Sequence, residues 1–405
     1  MTAFLLRFRR ANPQLRLFLF ATVLAGAASG VFETTFNNFL NDTFSIRADA
    51  RGFLEFPREL PGFLTALCAG ALFFLPETVI AALATLLIGL GMLGLGVWGK
   101  SWNAMLAFMV VWSLGTHLSM PVGSSISMDL AEGNRKGRRL GQISGARIAA
   151  AFIGCGLVWA AMRYRERCYG FTFVAGGVLA IVGAAVLACM RMPGAHLRRP
   201  KFVWHRRYWL FYTLSLLYGA RKQIFITFGP WVLVKLFHQP ATVFAQLWIA
   251  SAVLGVASQP ALGRAVDRFG ERAVLMADAV GVFAVCAGYA FAYLIPNHTA
   301  ALALLFACYV GDQLLMGSGM ARSTYLSRIA VKPEHVSPTL SLGVSIDHVV
   351  SMTIPAAAGL LWVARGHTAV FLAAAGIAVL MLVFSTMVRV PGTAPVPVQA
   401  EGAAE

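Results

Sequence analysis

The sequence predicts an all-α membrane protein of twelve transmembrane helices in two pseudo-symmetric six-helix bundles. Three observations carry that expectation. Stretches of about twenty apolar residues recur along the chain, basic residues gather on alternate loops, and one glycine-containing pattern repeats half a chain apart. Of the 405 residues, 58% are apolar and 12% charged, with a mean hydropathy of +0.71. Soluble domains carry about twice that share of charge, so the solvent for most of this surface is lipid.

The spans, numbered 1 to 12 in chain order, run over 14–40, 52–75, 76–99, 102–130, 139–162, 169–191, 208–236, 240–263, 272–295, 299–321, 338–363 and 368–389. Each is long enough for a helix through about 30 Å of hydrocarbon, and lipid admits only helices or closed barrels. The alternating ten-residue segments of a barrel are absent from the sequence.

Of the 33 Lys and Arg, 21 fall on one set of alternate loops and 8 on the other. The richer set includes Arg16, Arg135, Arg139, Arg206, Arg268, Arg322 and Arg328; the poorer includes Arg47, Arg51, Lys100 and Arg365. The positive-inside rule puts the richer set and both termini in the cytoplasm, and a bacterial inner membrane is the expected location. A net charge of +16 invites a nucleic-acid reading, but the basic residues are scattered over loops and form no single face. The basic start followed by Leu17 to Gly30 resembles a secretory leader, yet the apolar stretch continues to Leu40 and its loss would invert every later span. The six cysteines contain no Cys-x-x-Cys pair, so neither a disulfide framework nor a zinc site is signalled, and no metal or cofactor is expected.

The internal repeat appears first in spans 1 and 7. Gly26-Ala27 with Val31-Phe32-x-Thr34 returns 193 residues later as Gly219-Ala220 with Ile224-Phe225-x-Thr227, and the same offset carries Gly62 onto Gly255. Two six-helix copies running in the same direction form the parallel repeat of secondary transporters, whose substrate site lies between the halves near the bilayer midplane. The expected layout is a bundle over 1–190, a basic linker over 191–207, a second bundle over 208–389 and a disordered tail over 390–405.

Between spans 8 and 9 stands Gly263-Arg-Ala-Val-Asp267-Arg268-Phe-Gly270-Glu-Arg272, and here the chain resembles the Major Facilitator Superfamily. The resemblance implies a 6 + 6 transporter fold. It also implies a cytoplasmic latch made by Gly263, Asp267, Arg268, Gly270 and Arg272, in which Asp267 meets the start of span 5 near Arg138 to Gly141. A carboxylate facing a helix N-terminus is favourable, and Gly270 permits a tight turn. In the first half Gly70 survives, but Phe74 and Leu75 stand where the signature has Asp-Arg, and Glu77 where it has Gly.

Charges inside spans are costly, so they face the bundle interior or water. On span 2, Glu55, Arg58 and Glu59 share a helical face with Gly62, and Glu33, Asn37 and Asn41 form a stripe on span 1. These are expected to face one another as an outer polar network. Deeper lie Arg147 on span 5, Arg221, Lys222 and Gln223 on span 7, Asp312 and Gln313 on span 10, and Asp347 and His348 on span 11. These are the expected substrate-binding residues, with Arg147, Arg221 and Lys222 facing an anion and Asp312 and Asp347 carrying protons. At least one of these carboxylates should lie within reach of one of the three cations. An offset of 200 relates Arg147 to Asp347, placing opposite charges at equivalent depths of the two halves.

The expected function is secondary active transport by alternating access, coupled to protons, of a small organic solute with an anionic or amphiphilic character. A monomer is expected, with the solute, protons and the lipid bilayer as its partners. Efflux of a drug or toxic compound on the same scaffold is the alternative, and the direction of accumulation separates the two. A membrane enzyme or a sensor fits less well, because no loop between spans reaches twenty residues and no soluble domain is present in this sequence. No phosphate-binding loop of Gly-x-x-x-x-Gly-Lys-[Ser/Thr] type accompanies the spans.

Overall fold

The structure is a computed structural model and describes residues 12–68, 75–131, 136–192, 203–332 and 335–390, without the side chains of 65–68, 136–138 and 337. Gly70, Phe74, Arg135, most of the linker and nearly all of the expected disordered tail lie outside the described residues. The described residues are almost all helical and contain no β-strand.

Span 1 is Pro13–Phe44, started by Asn12, whose side chain accepts a hydrogen bond from the backbone N–H of Gln14 at 2.9 Å. Span 2 is two helices, Ala48–Phe53 and Glu55–Cys68, interrupted at Leu54. Pro57 has no N–H to give to the Phe53 carbonyl, which is a local reason for the break. Spans 3 to 7 are Glu77–Trp98, Trp102–Asp129, Lys136–Tyr164, Tyr169–Ala188 and Trp209–Lys235. Spans 8 and 9 form one continuous run, Ala241–Phe291, that turns at Gly270 with φ 80°. Span 10 is His298–Leu315 continued by Gly319–Ile329, and spans 11 and 12 form Val336–Thr386, which turns at Gly366 with φ 82°. Both turns occupy the left-handed region that glycine enters without a Cβ clash.

Eight helices are long and apolar enough to cross a membrane. Two of these are the doubled runs through Gly270 and Gly366, which raises the number of spans to ten. Spans 2 and 7 complete the twelve. Span 2 is missed because the break at Leu54 leaves helices of 6 and 14 residues, and span 7 because Arg221 and Lys222 lower its hydropathy in mid-helix. The two cations that obscure span 7 are ones that the interior of the fold pairs.

Two boundaries move, and each changes the role of a charge. Span 2 begins at Ala48, so Arg51 is buried in the helix and does not belong to the outer loop assigned from hydropathy. Span 10 extends to Ile329, which puts Arg322 on the helix, stacked over the Tyr218 ring at 3.7 Å.

Inside each half the repeat is physical. Span 1 packs on span 5 where a Cβ on Gly26 would collide with the backbone of Arg147, and span 7 packs on span 11 where a Cβ on Gly219 would collide with Asp347. The Gly26/Gly219 repeat therefore marks two equivalent crossings, and the pair Arg147 and Asp347 occupies the same side of each. Across the halves, span 2 packs on span 11, and span 5 on the Ala241–Phe291 run. Gly52 sits against the Pro355 backbone and Gly359 against the Ala48 backbone, so glycine brings spans 2 and 11 into main-chain contact.

The ends of the spans define two faces. We call basic the face that carries Arg16, Arg139, Arg206, Arg207, Arg268 and Arg328. The halves meet tightly toward the other face. There the Asn38 side chain donates to the Gln239 carbonyl at 2.8 Å, and the Lys235 ammonium donates to Asn41 Oδ1 at 3.2 Å.

Candidate functional site

A cavity of about 400 Å³ lies between the halves. Glu33, Asn37, Arg58, Arg147, Asp312 and Gln313 supply its polar wall, and aromatic rings such as Trp112, Trp248 and Tyr309 its apolar wall. A second space of about 230 Å³ shares Ala25, Thr85, Ser119, Met120 and Arg147 with it, and extends past Ser144 and Ser127 toward the basic face. The cavity therefore opens to the basic side and is closed on the opposite side.

The residues of the expected latch lie on that side. Asp267 is exposed and has no hydrogen bond or ion pair among the described residues, so it makes none with the described part of span 5. Gly141 and Gly145 of span 5, and Gly255 and Gly263 of span 8, face open space. Arg268 lies over its neighbour Phe269 at 5.3 Å, while Glu271 is held by Arg328 at 2.8 Å.

Of the expected outer polar residues, Asn37, Glu55 and Arg58 are joined by hydrogen bonds through Arg51, which hydropathy had placed on a loop, while Glu59 turns to His117 and His348. The Glu55 carboxylate receives Arg51, Arg58 at 3.0 Å and the Gln223 amide at 2.8 Å, so the two halves share it. Arg51 also donates to Asn37 Oδ1 at 3.0 Å, joining span 2 to span 1 as expected. Glu55 and Arg51 are almost wholly buried, at 0% and 1% side-chain exposure. An i, i+4 spacing of Arg51 and Glu55 was the available sequence signal. Glu33 differs: it opens into the cavity and has no bonded partner among the described residues.

Span 7 directs its two cations to separate sites, as their 100° offset requires. Arg221 is fully buried and donates to Asp312 at 2.6 Å, with Asp278 of span 9 at 3.4 Å from its other terminal nitrogen. Lys222 bonds Asp347. The expected reach between cation and carboxylate is present in both pairs. Arg147 and Asp347, at equivalent depths of the two halves, do not pair with each other. Arg147 is exposed into the cavity and unpaired among the described residues.

The expected binding set consequently divides. Arg147, Asp312 and Gln313 line the cavity. Arg221 lies behind Asp312, Gln223 is used by Glu55, and Lys222 and Asp347 neutralise each other. His348 contacts Glu59 at 3.1 Å. These five residues are absent from the cavity wall, and burial beside an opposite charge is the physical reason. Asp278 was not singled out from the sequence; as the intramembrane acid of span 9 it could have been.

The arrangement is a chamber of modest size with one polar and one aromatic wall, reached from one side. A sequence profile of the Major Facilitator Superfamily matches residues 60–330. No curated protein matches the sequence. Among solved structures, the fold is similar to that of the nucleoside transporter NupG, at 15% identity and a TM-score of 0.75, covering 93% of this chain and 100% of that one. It is also similar to a bacterial homologue of the human lysosomal transporter Spinster in an inward-facing, occupied conformation, at 17% identity and a TM-score of 0.71, covering 93% and 96%. The peptide transporter POT gives 14% identity and a TM-score of 0.68, covering 92% of each chain. With the matched profile spanning well over half of its length, this chain belongs to the Major Facilitator Superfamily of membrane transporters.

Proposed function

We propose that the protein is a proton-coupled secondary transporter that takes a small organic solute with an anionic group into the central cavity and carries it across the membrane by rocking 1–190 against 208–389. The observation that supports this most directly is Arg147, an unpaired guanidinium exposed in a chamber of about 400 Å³ that opens to one side. A guanidinium without a carboxylate suits a carboxylate or phosphate ligand, which it can bind through two parallel hydrogen bonds. Rings of Trp112 and Tyr309 would cover the apolar part of the solute.

Asp312 is the coupling carboxylate in this reading. It reaches the cavity on one side and Arg221 on the other, and Asp278 shares the same guanidinium. Asp278 also lies in the field of the Arg322 guanidinium, whereas Asp312 depends on Arg221 alone, so a proton from the cavity water competes with that one cation for Asp312. Asp347, bonded to Lys222 away from the cavity wall, has a structural part.

The reading is tested by screening the purified protein against metabolite libraries for thermal stabilisation, then measuring uptake of each hit into proteoliposomes under an imposed proton gradient. Gradient-driven accumulation is the expected result; extrusion of a preloaded hit would transfer the protein to the efflux reading, and movement indifferent to the gradient would remove proton coupling. Arg147→Ala should weaken the bound anion by about 1.5–3 kcal/mol, roughly 10- to 150-fold, whereas Arg147→Lys should retain part of that affinity. An unchanged affinity in Arg147→Ala would take the anion site elsewhere.

For orientation we propose the bacterial inner membrane, with the basic face and both termini in the cytoplasm. Cysteine labelling in right-side-out vesicles should modify Lys100→Cys and Arg365→Cys from outside, and Arg135→Cys and Lys201→Cys only after the cytoplasmic side is exposed. The reverse pattern would invert the topology, and the cavity would then face outward.

A further inference from the structure

Between the halves, away from the cavity wall, Glu59 of span 2, His117 of span 4 and His348 of span 11 converge. One ligand atom from each lies within 4.8 Å of the others. Glu59 Oε2 is 3.1 Å from His348 Nδ1 and 3.6 Å from His117 Nε2, and all three side chains are between 8% and 13% exposed. The two imidazoles are the only hydrogen-bond or ion-pair partners of Glu59 among the described residues; its neighbour Arg58 is turned to Glu55.

The tautomer of His117 follows from its other nitrogen. Nδ1 lies 2.9 Å from the Ser113 carbonyl oxygen, which can only accept, and 3.1 Å from Ser113 Oγ, whose own hydrogen goes to the Arg58 carbonyl. Nδ1 therefore carries a proton, which leaves Nε2 as the ring nitrogen that faces no backbone partner. Nε2 lies 3.6 Å from Glu59 Oε2. Two electron-rich atoms held this close in a buried site are relieved by a cation, either a proton on Nε2 or a metal ion. A backbone carbonyl fixing the remote nitrogen of a histidine is also the arrangement that orients metal-bound imidazoles.

Glycine supplies the space. A methyl group on Gly62 would collide with both the His117 and His348 rings. Four ligands about 2.0–2.1 Å from a tetrahedral zinc ion stand roughly 3.3 Å apart, so the two short edges of the triangle already have the required scale.

We propose that Glu59, His117 and His348 form a binding site for a divalent transition-metal ion of the zinc type, with Glu59 Oε2 and His117 Nε2 supplied by one half and a His348 ring nitrogen by the other. Two imidazoles and one carboxylate select such an ion over Mg²⁺ or Ca²⁺, which prefer oxygen ligands throughout. Because the three ligands come together only while spans 2 and 11 are in contact, the bound ion stabilises the conformation that is open on the basic face. The site acts as a metal-operated clasp and is separate from the solute cavity.

The test uses full-length, tag-free protein in detergent, carrying His205→Gln and His335→Gln to remove the other close histidine pair among the described residues, whose rings lie 6.2 Å apart. Zn²⁺ is titrated by calorimetry and by thermal melting, and Co²⁺ by its visible d–d absorption, which reports direct ligation. The expected result is one equivalent per chain, a melting temperature that rises with Zn²⁺, and a loss of at least about tenfold in affinity in each of Glu59→Gln, His117→Gln and His348→Gln. Arg147→Ala should bind the ion as the parent does. Absence of saturable binding in the parent, or parental affinity in any one of the three variants, overturns the site. Melting of each variant without metal controls for folding; should His117→Gln not fold, Glu59→Gln and His348→Gln decide the matter. None of these readouts depends on transport, so the clasp can fail while the transporter reading stands, and the reverse.

Discussion

Asp312→Asn is expected to abolish proton-driven accumulation while leaving exchange of solute across equal gradients within a few-fold of the parent. Exchange requires binding and rocking but no net release of a proton, so a carboxyl that no longer titrates affects only the coupled process. The substitution is also one the fold should survive. Arg221 is fully buried, but it keeps Asp278 as a charged partner when Asp312 is neutralised, and an Asn oxygen still accepts from it. The stability cost should therefore stay near about 1–3 kcal/mol, that of one weakened buried hydrogen bond to a charge. Proteoliposomes driven by an imposed pH gradient, and separately loaded for counterflow, give the two readouts from one preparation. Full accumulation in Asp312→Asn at several pH values would reduce the Arg221 trio to a structural ion-pair cluster.

Glu55→Ala is expected to have the largest effect on stability. Its carboxylate is the common acceptor of Arg51, Arg58 and Gln223, and removing it leaves Arg51, at 1% exposure, with the Asn37 oxygen as its one hydrogen-bond partner among the described residues. Breaking a buried pair from one side costs about 3–5 kcal/mol, because an uncompensated charge stays behind. Glu55→Gln keeps an acceptor oxygen and should lose less. Since Gln223 comes from the other half, the alanine variant should also loosen the closed face, and Asn37→Cys in that background should gain reactivity from that side. Thermal unfolding in detergent measures the first effect and thiol labelling the second. A melting point for Glu55→Ala that matches the parent would mean that the network carries little of the stability.

The spans themselves were legible because lipid imposes a strong rule: a segment of twenty apolar residues has one stable conformation there. Helical spacing also put Glu55, Arg58 and Glu59 on one face with Gly62, and the structure keeps them on the interior side. The repeat of Gly26 at Gly219 could be read as well, since close helix crossings demand the smallest residue and leave that demand in the sequence. Arg51 was missed for the converse reason. A hydropathy window ends a span at the first strong charge, and a charge that is buried by pairing looks the same as one that is solvated.

Composition, span periodicity and loop charge determined the twelve-helix architecture, the parallel repeat and the residues that must leave lipid for the interior. Each of these depends on local sequence or on burial alone. Which charges meet was decided by the tertiary structure. Periodicity says which side of a helix faces inward but not which helix stands opposite, so Arg147 and Asp347, equivalent by sequence, have different fates: one open to the cavity and one closed on Lys222. The same holds for Glu59, His117 and His348, which lie on three helices and 289 residues apart at the extremes, and which only the docking of span 11 on span 2 brings together. Conformational state is likewise a tertiary property: the sequence around Asp267 is the same whatever the residue touches, and its exposure here is set by how the spans are arranged.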